Sequence, residues 1–144
     1  MGLENYIQKL KPNKNKKDLI PLIISILNCE EVLVEKSENL ELVKNELKNF
    51  LNTLFIVIKS NNVNIKSETK ELDLDYWKDN IKDYRSQNPN MNKDVFFYSI
   101  RNTLKYLILE INNKIHLTAH LLEMVIKTFL FIDFLELSLD DILN

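Results

Sequence analysis

Between Leu40 and Ile58 the large apolar side chains fall at Leu40, Val43, Leu47, Phe50, Leu51, Leu54 and Ile58. Intervals of three and four residues place them on one stripe of an α-helix; a half-buried strand would need an interval of two. Lys44, Glu46, Lys48 and Asn49 fall off the stripe. The pattern predicts an amphipathic helix running to about Lys59, with Ser37 as its cap and Glu38 and Glu41 near its positive end. The same spacing returns at Phe96, Ile100, Leu104, Leu107, Ile108 and Ile111, behind a cap at Asn92. A further helix is predicted from about Lys114 to Leu135, apolar nearly all round and so expected at the centre of the fold.

The rest of the chain fits between these elements. Leu3, Tyr6, Ile7 and Leu10 predict a short first helix. Residues 11–17 read as an exposed, mobile linker containing Pro12 and several lysines. Asp18 is placed to cap a helix that tolerates Pro21 in its first turn. Leu19 to Leu27 is almost wholly apolar and is read as helix, since it neither alternates nor has a strand partner nearby. Val32-Leu33-Val34 reads as its continuation or as an extended connector. Asn61 to Glu71 is expected to be a loop, and Asp73 to cap a helix bearing Leu74, Trp77, Ile81 and Tyr84. Ser86 to Asn92, with Pro89, is expected to be a loop. Ser138, followed by Asp140 and Asp141, caps a short last helix. The expected fold is an all-α, single-domain bundle of about five to seven helices. Residues 1–17 form a short helix and a lysine-rich linker, and residues 18–144 the bundle.

Length and composition agree. With 144 residues, 45% apolar and 28% charged, the chain is long enough to bury a core without a disulfide or metal. Cys29 is the single cysteine, which excludes an internal disulfide and a four-cysteine zinc site. One cysteine and an N-terminus with no continuous apolar run lead us to expect an intracellular, cytoplasmic protein. Glu123, Lys127, Asp133 and Glu136 argue against a membrane span in the last long helix. A net charge of −2 gives no global field favouring nucleic acid. The bias towards lysine, asparagine and isoleucine is of the kind an AT-rich genome imposes. With Gly2 the only glycine, Gly-rich phosphate-binding loops are excluded.

Few residues point to chemistry. His116 and His120 are the only histidines, and their i, i+4 spacing puts both on one helix face, as in zinc proteases. Leu117 stands where such a protease needs glutamate to activate water. A third ligand would have to come from elsewhere, with Glu123 and Asp133 as distant options, so no metal and no cofactor is expected. Cys29 precedes Glu30 and Glu31, whose charges oppose a thiolate, and is expected to be a buried structural residue. Tyr76 and Arg85 lie off the stripe that carries Trp77 and Tyr84, and are candidate surface contacts. Lys14, Lys16 and Lys17, in the lysine segment that begins at Lys9, are candidates for phosphates or an acidic partner, but no aromatics are interleaved for base stacking.

Arg101-Asn102-Thr103-Leu104-Lys105-Tyr106 resembles the start of the catalytic motif of HEPN-type ribonucleases, in which an arginine and polar residue precede a histidine. The resemblance covers six residues and places Tyr106 where the family has histidine. Since that histidine moves the protons, the resemblance implies an inactive relative at most. The leading expectation is a non-enzymatic interaction module: an accessory subunit, adaptor, inhibitor or immunity-type protein acting on a larger protein partner. A homodimer is a further expectation, and no membrane partner is expected. The second reading is a nucleic-acid-binding component of a ribonucleoprotein, using Arg101, Lys44, Lys48, Lys105 and the N-terminal lysines. A metal protein centred on His116 and His120 is the third.

Overall fold

The computed structural model describes residues 3–15, 17–63, 83, 86, 87, 89, 90 and 92–144. Six helices are delimited among them: α1 (Leu3–Gln8), α2 (Ile20–Glu35), α3 (Leu40–Ser60), α4 (Lys93–Leu109), α5 (Lys114–Phe134) and α6 (Leu139–Leu143). The described residues contain no strand, and the fold is a small all-α bundle. Tyr76, Trp77, Tyr84, Arg85 and Lys16, with most of the expected loop and helix between Asn61 and Tyr84, lie outside the described residues.

Two helix pairs make the bundle. α2 packs against α3 and α4 against α5, and the pairs meet through α2–α4 and α3–α5. The predicted stripe of α3 is buried from Val43 to Ile58, together with Phe55 and Val57. The helix expected at the centre, α5, buries Leu117, Leu121, Met124, Val125, Phe129, Phe131 and Ile132. It shares the centre with α3, which also touches α1 and α6. α5 is long and apolar enough, by length and composition, to cross a membrane, and 44% of its most apolar window is buried within the bundle. Aromatic rings knit the pairs together: Phe97 lies 6.4 Å from Phe50 and 5.6 Å from Phe131, ring centre to ring centre. Such contacts add to the area the rings bury.

Several local expectations are corrected. The cap of α3 is Asn39, whose side chain accepts from the Leu42 amide, rather than Ser37. Leu40 and Ile108, assigned to buried stripes, are exposed. Each sits at an end of its helix. Val32-Leu33-Val34 continues α2. Ser86 and Gln87 are helical where a loop was expected. Residues 11–17 are exposed apart from Asn13 among those described, but the segment is tied down. Lys59 Nζ donates to the carbonyls of Gln8 and Leu10, and the Asn13 amide donates to Ser60 Oγ.

The shortage of glycine leaves its mark at two helix ends. α3 and α5 both close with the six-to-one amide bond of a Schellman motif, Val63 to Ile58 and Leu137 to Ile132. The left-handed residue this closure needs is usually glycine. Here it is Asn62 at φ 56° and Glu136 at φ 62°.

Candidate functional site

α4 and α5 form a helical hairpin joined through residues 110–113, and a row of polar groups runs along it. Asn113 caps α5 by accepting from the His116 amide, which fixes the first turn. His116 and His120 then share a face, as their spacing requires. Both meet Glu110, at the end of α4: Nδ1 of His116 contacts Oε2, and Nε2 of His120 lies 3.0 Å from Oε1. The Tyr106 ring stacks on His120 at 5.9 Å. One turn on, Glu123 lies 3.8 Å from Nδ1 of His120 and 3.0 Å from Nζ of Lys127. Lys127 also donates to Thr103 Oγ1 at 2.9 Å and to the Ser99 carbonyl. The hydrogen bonds from His120 and His116 hold the Glu110 carboxyl below its ordinary range, against an opposing effect of desolvation.

This row clamps the hairpin. Each carboxylate oxygen of Glu110 is engaged by a different histidine, and among the described residues no group of three or more His, Cys, Asp or Glu is arranged to hold a metal ion. Glu123, one of the two carboxylates that spacing offered, lies 3.8 Å from His120, while Glu110, which spacing did not offer, meets both histidines across the turn. Thr103 is a hydroxyl beside a cation, bonded onward to the Ser99 carbonyl. Among the described residues no base contacts it to make a nucleophile. Beside the row, Phe96 and Ser99 of α4 with Leu122, Ile126 and Leu130 of α5 line an open, mostly apolar cavity of about 430 Å³.

Arg101 does not join this row. Its Nη1 donates to Glu30 Oε1 at 2.6 Å, and its guanidinium lies 5.2 Å from the Tyr98 ring centre, so it ties α4 to α2. Tyr106, at the place of the ribonuclease histidine, faces His120 instead. Lys14 is exposed, while Lys17 is exposed with Nζ 2.6 Å from Asn112 Oδ1. Lys44 pairs with Glu41 at 3.7 Å, and Lys105 Nζ lies 5.9 Å from the Tyr106 ring centre. The described cations offered for nucleic acid are divided among the N-terminal segment, α3 and α4. Cys29 is buried, and burial first, then Glu46 and Glu30, pushes its thiol up to about 12.

Sequence reasoning missed two groups of exposed apolar side chains. On α2, Ile20 is 64% exposed, Ile24 52%, Leu27 55% and Val34 65%. Flanking the hairpin turn, Leu109 is 68% exposed and Ile115 80%. The signal for the first was present as the spacing of those residues. It was hidden because α2 is apolar on both sides, so no single face stood out. A search of protein-family models, curated proteins and solved structures gives no match for the chain.

Proposed function

We propose that this chain is a non-enzymatic helical interaction module, acting as an accessory subunit, adaptor, inhibitor or immunity-type protein on a larger protein partner. The observation that carries this reading is the pair of exposed apolar surfaces, one along α2 and one at the α4–α5 turn. Large aliphatic side chains grouped in water on packed helices mark protein-docking surfaces. Leu109 and Ile115 project from the hairpin tip that Glu110, His116 and His120 hold together. That rigid, apolar tip suits insertion into a pocket on a larger protein, because little ordering entropy is lost on docking.

The nucleic-acid reading draws less support. Arg101 is paired with Glu30, and the lysine segment from Lys9 to Lys17 has no aromatic residue interleaved for base stacking. The test is affinity purification of the tagged chain from its native host, with Leu109→Glu/Ile115→Glu as the matched control. A protein recovered with the wild type and lost with the folded control supports the reading. Recovery of nucleic acid alone, or of the same proteins with both baits, overturns it.

A further inference from the structure

Ile20, Ile24, Leu27, Glu31 and Val34 follow one another at intervals of four, three, four and three residues, the seam spacing of paired helices. In α2 this seam points away from the core. Leu22, Ile26, Cys29 and Leu33 are the side chains buried against the bundle, and at 3.6 residues per turn the seam lies about half a turn round from them. The four apolar seam residues are each more than half exposed.

Charge along the element is strongly polarised. Residues 9–17 carry five lysines and no acid, whereas residues 30–38 carry four glutamates and one lysine. All three acids within α2 itself, Glu30, Glu31 and Glu35, lie towards its C-terminal end. That is the negative end of the helix dipole, where acids are unfavourable. Glu30 is neutralised by Arg101; Glu31 and Glu35 are exposed.

We propose that the outer face of α2 docks a second copy of this chain, antiparallel, about a two-fold axis at Leu27. The inference rests on the interaction-module reading and assigns one of its two surfaces. With Leu27 against its own copy, Ile20 meets Val34 of the other chain and Ile24 lies within one residue's rise, about 1.5 Å, of the level of Glu31, whose aliphatic stem covers it. The antiparallel order brings the lysine-bearing segment that precedes α2 in one chain towards the glutamates at the C-terminal end of α2 in the other, at both ends of the seam. A parallel pair would set lysines against lysines and glutamates against glutamates. The face thus complements itself in apolar pattern, charge and helix dipole, as a two-fold interface requires. α2 is about 24 Å long. One helix pair lies at the small end of stable interfaces, so the dimer dissociates on dilution.

Sedimentation equilibrium of the full chain at low salt, combined with cysteine cross-linking, tests this. Cys29 is buried and stays silent. Leu27→Cys links to itself under mild oxidation. Ile20→Cys and Val34→Cys do not link alone but link when mixed. Ile24→Glu sediments as a monomer at concentrations where the wild type is a dimer. A wild type that stays monomeric at every concentration, or self-linking by Ile20→Cys, overturns the inference. A monomer whose host partner is still lost with Leu109→Glu/Ile115→Glu removes the dimer and leaves the module reading intact. A dimer with no co-purifying protein leaves the dimer and removes the larger partner.

Discussion

Oε1 of Glu110 lies 3.0 Å from Nε2 of His120, so the first residue of the hairpin turn is fastened to the second turn of the following helix. The same carboxylate takes His116 on its other oxygen. Two histidines one turn apart share one carboxylate, and the tip bearing Leu109 and Ile115 is braced from beneath. This makes the clamp a structural device whose strength follows the charge on Glu110.

The hydrogen bond from His120, ahead of that from His116, lowers the Glu110 carboxyl below its ordinary value of 4.5. A carboxylate lowered in the folded state adds stability that is present above the unfolded value and is lost as pH falls through the folded one. Wild type should therefore lose stability below about pH 4.5 that Glu110→Gln does not lose. Urea midpoints between pH 6 and pH 3 check this. His120→Ala should move the Glu110 carboxyl titration, followed by NMR, back towards the ordinary value. An unchanged midpoint would show that His120 does not hold it.

Arg101 and Glu30 form a partly exposed ion pair. Such pairs contribute about 0.2–1 kcal/mol. A double-mutant cycle with Arg101→Met and Glu30→Gln should give a coupling in that range. If Arg101 belonged to an RNA surface, Arg101→Met would instead weaken RNA retention and flatten its dependence on salt.

Cys29 should not react with a thiol reagent at pH 8 while the chain is folded. Its pKa of about 12 leaves almost no thiolate, and its sulfur is buried. Labelling should follow the unfolding rate as urea is added. Prompt labelling of the native protein would show that α2 and α3 part locally.

Phe131 is fully buried and lies 5.6 Å from Phe97. Phe131→Ala should cost about 3–5 kcal/mol, because the cavity adds to the lost transfer energy. Chemical denaturation measures it. A loss below about 1 kcal/mol would mean that the α4–α5 interface is loosely packed.

The legible part of the fold was the part set by local periodicity. Val43 to Ile58 and Phe96 to Leu107 repeat every three to four residues, and the structure buries them. The asparagine cap at Asn92 follows from a side chain that accepts an amide bond, and Asn113 caps α5 in the same way without having been read as a cap. α2 resisted reading because Leu22, Ile26 and Leu33 on one side are matched by Ile20, Ile24 and Leu27 on the other. Only packing against α3 decides which set is core. Glu110 and Glu30 were missed for a different reason. Glu110 meets its histidines across a turn, and Glu30 meets Arg101 from another helix pair, and sequence spacing encodes neither approach.

Glu136 closes α5 with φ 62°, a left-handed conformation in which its Cβ crowds the backbone. For a residue with a Cβ this conformation costs about 1–2 kcal/mol. The Schellman bonds from Glu136 to Asp133 and from Leu137 to Ile132 hold it there. Glu136→Gly removes the crowding and keeps both bonds. Part of the gain is offset by the greater freedom of glycine in the unfolded chain. The net expectation is a stabilisation of about 1 kcal/mol, seen as a higher urea midpoint with unchanged slope. Glu136→Ala retains the Cβ and should give no such gain. The side chain is exposed, so a charge effect would appear equally in both variants. A gain confined to glycine therefore isolates backbone strain, and equal gains in both would remove it as the cause.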